Sequence, residues 1–211
     1  MKKNVSNRLN RLSESATLAM ARMSRELQAK GINVIALSLG EPDFNTPDFI
    51  KEAGKKAIDD NFSHYTPVPG LNELRSSIAA KFKRDNNLEY KPEQIVTSTG
   101  AKQSLANVCL SLLNPGDEVL LPCPYWVSYS EIIKLAEGTP IEIPSFIDSD
   151  FKVTAADLER AITSKTKMLM FSSPCNPSGT VYTQNELEDI AKMLEKYPKI
   201  FVVSDEIYEH I

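Results

Sequence analysis

The sequence predicts an α/β fold built on a largely parallel sheet. Two patterns lead there. Beyond Pro92, short apolar runs of strand length alternate with segments of helical periodicity, which is how βαβ units read along a chain. Clusters of Gly, Pro, Ser and Asn follow those apolar runs. They therefore fall at the carboxyl ends of strands, where open α/β sheets hold their ligands.

A first helix is expected over residues 13–30, capped by Ser13 or Ser15 and ended by Gly31. The apolar run Val34–Leu39 follows and stops at Gly40-Glu41-Pro42-Asp43. A second helix is expected over Asp48–Asp59. The segment His64–Gly70 carries two prolines and a glycine, so it cannot be helical. A third helix, Leu71–Arg84, would place Leu74, Ile78 and Phe82 on one face. Gln94–Ser98 then reads as a strand, Thr99-Gly100 as a turn and Ala101–Leu113 as a helix, closed by Asn114-Pro115-Gly116-Asp117. Further strands are expected at Glu118–Leu121, Pro140–Ile143, Lys167–Phe171 and Ile200–Val203. The intervening helices are expected at Tyr129–Ala136, Ala155–Ile162 and Glu186–Tyr197. Composition changes near residue 45, which divides an N-terminal part, 1–45, from an α/β part, 46–211.

Composition narrows the function. Lys and Arg number 24 against 28 Asp and Glu, a net charge of -4, which argues against a nucleic-acid or anionic-membrane surface. The N-terminus, MKKNVSNRLNRLSES, is basic and polar with no apolar stretch behind it, unlike a secretory signal. No apolar run is long enough to span a bilayer. Cys109, Cys123 and Cys175 are far apart and only His64 and His210 accompany them, so no zinc site is expected. Three free thiols fit a reducing cytoplasm.

Four strand-end clusters carry the candidate chemistry. Ser98-Thr99-Gly100-Ala101-Lys102 turns into a helix and would offer free N–H groups to a phosphate. It lacks the first glycine of a Walker A loop, and a plain β-α turn would look the same. In Pro122-Cys123-Pro124-Tyr125-Trp126, the single tryptophan would stack on a flat ligand or simply pack under a loop. Asn176-Pro177 suits a cis peptide that aims the amide into the crevice, or an ordinary turn. Asp205 comes one residue, Ser204, after the four apolar residues Ile200–Val203. A carboxylate at the tip of a buried strand needs a cation or donors, and a protonated pyridine nitrogen would serve, as would the N–H groups of a following helix. Tyr208, three residues on, would share its face in a helical turn.

Taken in order, LSLGEPDFNTP, HYTPVPGLNELR, TSTGAKQSLANVCLSLLNPGDEVL, PCPYWVSY, FSSPCNPSGTVY and VVSDEIYEH span essentially the whole chain. In these stretches the sequence resembles class I aminotransferases of the aspartate aminotransferase family, which have the type I fold of pyridoxal 5'-phosphate (PLP) enzymes. That resemblance implies a large-domain sheet that is mixed but mostly parallel, flanked by helices and incomplete at the C-terminus. Residues 1–45 would form an N-terminal arm and the start of the small domain, and 46–211 the PLP-binding large domain.

The resemblance also implies roles. Gly40 would meet the substrate carboxylate through its backbone, and Tyr65 would reach the cofactor phosphate of the partner subunit in a homodimer. Gly100, Ala101 and Lys102 would form the phosphate cup. Trp126 would stack on the pyridine ring, and Asn176 would bond the O3′ side and help hold the substrate α-carboxylate. Asp205 would pair with the ring nitrogen, and Tyr208 would hydrogen-bond O3′. The implied reaction moves an amino group between an amino acid, with aspartate the best match, and a 2-oxo acid such as 2-oxoglutarate. A cytoplasmic homodimer is implied, with neither nucleic acid nor membrane as partner.

Cys175 stands where many relatives have Asn, and Ser13 where relatives that also use prephenate carry Lys. The family's Schiff-base lysine and its carboxylate-binding arginine come after the SDEIY segment, beyond Ile211. The 211 residues alone are therefore expected to be inactive and poorly stable, with the Gln94–Ser98 strand short of neighbours. Two alternatives stay open on sequence. One is a PLP-dependent lyase of the same fold, and the other is a non-catalytic truncated fragment.

Overall fold

The computed structural model describes residues 4–14, 16–37, 40 and 42–210. In chain order the elements are α1 (Asn7–Asn10), α2 (Ala16–Ala29), α3 (Asp48–Asp59), α4 (Asn72–Asn86), α5 (Ala101–Leu112), β1 (Glu118–Pro122) and α6 (Ser128–Leu135). They continue with β2 (Thr139–Ile143), α7 (Ala155–Ala161), β3 (Thr166–Ser172), α8 (Gln184–Leu194) and β4 (Phe201–Asp205). Contacts group the chain into two compact units. One is Met1–Ser15 with Gly100–Ile211, and the other is Ala16–Thr99.

The first unit holds the sheet. Its strand order is β2-β1-β3-β4 and all three ladders are parallel. β1 and β3 are buried on both faces, which is why they read as unbroken apolar runs. Side chains alternate between faces with period two. Val119, Leu121, Met168 and Met170 face α5 and α6, meeting Leu105, Cys109, Tyr129 and Ile133. Leu120 and Leu169 face the other way, onto Leu158 of α7 and Ile190 and Met193 of α8. β4 is different. Phe201 and Val202 are 45% and 50% exposed, and among the described residues only β3 pairs with this strand.

Two helices start on reciprocal caps. Thr154 Oγ1 accepts from Asp157 N at 3.2 Å while Asp157 Oδ2 accepts from Thr154 N at 2.9 Å. Thr183 and Glu186 repeat the pattern at 3.3 and 2.7 Å. The second box begins α8 two residues ahead of the sequence expectation, although T-x-x-E was there to be read. α8 also stops at Leu194 rather than Tyr197, because Pro198 disfavours helical dihedrals at the residue before it.

The second unit carries α2, α3 and α4. The expected bounds of α3 hold, yet none of its residues is buried. The Arg75 guanidinium on α4 donates to the carbonyls of Pro92 and Ile95 at 2.9 and 3.0 Å. The strand expected at Gln94–Ser98 is not formed. Pro92–Gln94 is a 3-10 turn, and Ile95 is extended, but no strand pairs with the segment among the described residues. Thr97 instead gives its N–H and its hydroxyl to Pro69 O at 3.0 and 3.2 Å. A strand is a paired object, and β-like residues without a ladder partner stay irregular. Ser15, one expected cap of α2, and Ser38 and Leu39 of the expected apolar run lie outside the described residues.

Candidate active site

The parallel register brings the strand tips together. Pro122 of β1 lies beside Ile143 of β2, and Ser172 of β3 lies beside Asp205 of β4. Three of the four clusters read from sequence follow these tips, and the fourth opens α5.

Gly100 is the N-cap of α5 with φ 85°, a left-handed conformation that glycine adopts without the penalty of a Cβ. A Cβ there would meet nothing within 4 Å. Helix geometry leaves the first-turn N–H groups, those of Ala101 and Lys102 among them, without acceptors inside the helix. The Lys102 side chain crosses to Trp126, its Nζ 4.8 Å from the ring centroid, a cation–π distance. Trp126 is half-buried and meets Tyr129 edge-on at 5.6 Å.

Tyr129 is only 1% exposed. Its hydroxyl donates to Asp205 Oδ2 at 2.7 Å, and Ile207 N donates to Asp205 Oδ1 at 3.2 Å. The carboxylate thus caps the turn that follows and also accepts from across the sheet. Burial, then the hydrogen bond to the Asp205 carboxylate, pushes the Tyr129 phenol well above its ordinary pKa, so it is a neutral donor. Asn176 Nδ2 donates to Tyr208 Oη at 2.8 Å, and Asn176-Pro177 is cis. Ser172 Oγ is buried and makes no hydrogen bond of good geometry among the described residues. It is still close enough to Tyr129 to oppose the rise of its pKa.

Five residues named from sequence thus lie in one unit with the glycine turn at Gly100 and Ala101, in two sets of contacts: Lys102, Trp126 and Asp205 are linked through Tyr129, and Asn176 pairs with Tyr208. Gly40 and Tyr65 belong to the other unit. Tyr65 is fully exposed, and nothing lies within 4 Å of a Cβ built on Gly40. Sequence reading gave no role to Tyr129 or Ser172. The signal for Tyr129 was its place three residues after Trp126, one helical turn away.

The thiols are unremarkable. Burial raises Cys109 to about 11, and Cys175 Sγ lies 3.4 Å from Pro124 O. No group of three or more His, Cys, Asp or Glu that would hold a metal occurs among the described residues. The donor set suits a flat aromatic cofactor with an anionic tail. Free N–H groups stand at a helix start, a tryptophan face lies nearby, a carboxylate is held by neutral donors, and an amide is bonded to a phenol.

Fold and site define the class: the chain belongs to the class I and II aminotransferase family, whose model matches residues 32–211. Its fold is that of aspartate aminotransferases, the type I fold of PLP-dependent transferases. Against the aspartate aminotransferase of Rhizobium meliloti the TM-score is 0.95 at 39% identity, covering 98% of this chain and 52% of that one. Against that of Thermus thermophilus with maleate it is 0.94 at 40%, covering 99% and 54%. More particularly, the chain is 51% identical over 207 residues to the probable aspartate/prephenate aminotransferase of Rickettsia bellii, covering 98% of this chain and 52% of that protein. It is 49% identical over 212 residues to the aspartate aminotransferase of Bacillus sp. (strain YM-2), covering 100% and 54%. The chain spans about half the length of the curated relatives it matches.

Proposed function

We propose that the protein is a PLP-dependent aminotransferase that moves the amino group of aspartate to 2-oxoglutarate. The observation that carries this reading is the Asp205 carboxylate, set at the tip of β4 and hydrogen-bonded at 2.7 Å by the neutral phenol of Tyr129. An oriented carboxylate of this kind is what a protonated pyridine nitrogen requires.

PLP, when bound, supplies the electron sink for breaking the substrate Cα–H bond. The chain's own residues supply position and charge. Gly100, Ala101 and Lys102 offer N–H groups to the phosphate at the start of α5. Trp126 stacks on the ring, and Asp205 keeps the ring nitrogen protonated. Asn176 and Tyr208, already bonded to each other, hold the O3′ side, and Asn176 also steadies the substrate carboxylate. Gly40 meets that carboxylate through its backbone. Tyr65, with no neighbours covering it, reaches the phosphate of a second subunit in a homodimer. Residues 1–45 belong to the arm and small domain and 46–211 to the cofactor domain of a cytoplasmic enzyme.

The test uses the protein as its gene encodes it, with added PLP, aspartate and 2-oxoglutarate. Oxaloacetate should accumulate catalytically only with both substrates, and its formation should stop when PLP is stripped. Prephenate, which figures in the names of several relatives, is offered as a competing acceptor, and weaker use than 2-oxoglutarate is expected. No amino-group transfer with any of these acceptors would sink the reading.

A further inference from the structure

We propose that Tyr129 is a positioning residue, whose buried phenol fixes the Asp205 carboxylate in the orientation that meets the ring nitrogen without neutralising it. The inference rests on the role given to Asp205 above and adds the part that holds it.

An ionised carboxylate offers about four lone-pair positions. Among the described residues two are used, one by Tyr129 Oη at 2.7 Å and one by Ile207 N at 3.2 Å. The two bonds take different oxygens, so together they stop rotation of the carboxyl group and leave acceptor positions for a ring N–H. Tyr129 is itself held from several sides. It packs in the sheet core at 1% exposure, with Tyr125 stacked at 6.4 Å and Trp126 edge-on at 5.6 Å. The donor therefore sits on the rigid helix α6 rather than on a loop, which suits a precise site.

The chemical type of the donor matters as much as its place. A lysine or protonated histidine here would compensate the charge of Asp205 and weaken its hold on a pyridinium. A phenol that stays neutral orients the carboxylate and leaves the full negative charge for the cofactor. The same α6 turn carries Trp126 just before its start and Tyr129 in it. One helix end thus sets both the stacking face and the carboxylate.

The test reads the dissociation constant of pyridoxamine 5'-phosphate, which binds without a covalent bond, in the protein as its gene encodes it. Four proteins are compared: wild type, Tyr129→Phe, Asp205→Ala and the double variant. Phenylalanine keeps the ring that packs in the core, so the comparison isolates the hydroxyl. Tyr129→Phe should raise the constant by about tenfold, the scale of one hydrogen bond to a charged group, and should add nothing once Asp205 is gone. An equal loss in both backgrounds would overturn the proposal, because the hydroxyl would then act through packing. No loss in Tyr129→Phe, with a large loss in Asp205→Ala, would overturn it and leave the Asp205 reading intact. No loss in Asp205→Ala would overturn the Asp205 reading, and this proposal with it.

Discussion

Gly70 offers a prediction whose size can be worked from geometry. Its φ is 100°, and a Cβ built there would stand 1.9 Å from Thr97 Oγ1, 3.1 Å from Thr97 Cβ and 3.2 Å from Thr97 Cγ2. An L-residue with this φ is strained by about 1–2 kcal/mol. Relieving the contact requires the Thr97 hydroxyl to turn away, which breaks its 3.2 Å bond to Pro69 O and adds about 1 kcal/mol. Gly70→Ala should therefore destabilise the protein by about 2–3 kcal/mol, read from the urea midpoint with the slope unchanged. Removing the hydroxyl first, in Thr97→Ala, should recover the contact part and leave the dihedral part. A Gly70→Ala protein within about 0.5 kcal/mol of wild type, the range of ordinary surface changes, would refute this account of the Gly70–Thr97 contact.

Other consequences follow from the same structure. Glu186 is held below the usual carboxylate range, first by its hydrogen bond to Lys152 and then by the Thr183 N–H. Its contribution to stability is thus present above the unfolded pKa and lost as pH falls through the depressed folded value. Glu186→Gln should flatten part of the acid limb of a stability-against-pH curve, and an unchanged limb would contradict the cap. Cys109, fully buried with its pKa raised to about 11, should stay unlabelled by a maleimide at pH 8 in the folded protein. Mass spectrometry showing rapid modification there would contradict the packing of α5. The 211-residue chain on its own should aggregate, because Phe201 and Val202 are half exposed on a strand that, among the described residues, pairs only with β3. Val202→Lys should reduce that aggregation, and a soluble, cooperatively melting wild-type chain would contradict the argument.

Much of the fold was legible because its signals are local. The double-sided burial of β1 and β3 shows as unbroken apolar runs, and the bounds of α3 show in its periodicity. Asp205 stood out because a carboxylate so soon after the apolar run Ile200–Val203 needs an explanation. What failed was non-local. Gln94–Ser98 has strand-like residues, but a strand exists only with a partner, and the sequence does not show which segments pair. Tyr129 lay within a quoted motif, yet its partner is 76 residues away, and only the register of β3 with β4 and the packing of α6 bring the two together. The N-terminal edge of α8 was missed for a different reason. The Thr183–Glu186 box was readable but outweighed by the apolar pattern that begins later.

The most direct test of the central claim follows the nitrogen atom. Aspartate labelled with ¹⁵N is given to the PLP-loaded protein, as its gene encodes it, with unlabelled 2-oxoglutarate. The account predicts that the label appears in glutamate, in step with oxaloacetate, and that omitting the oxo acid stops turnover. Label released as ammonium without an acceptor, or left in aspartate under all conditions, would contradict it.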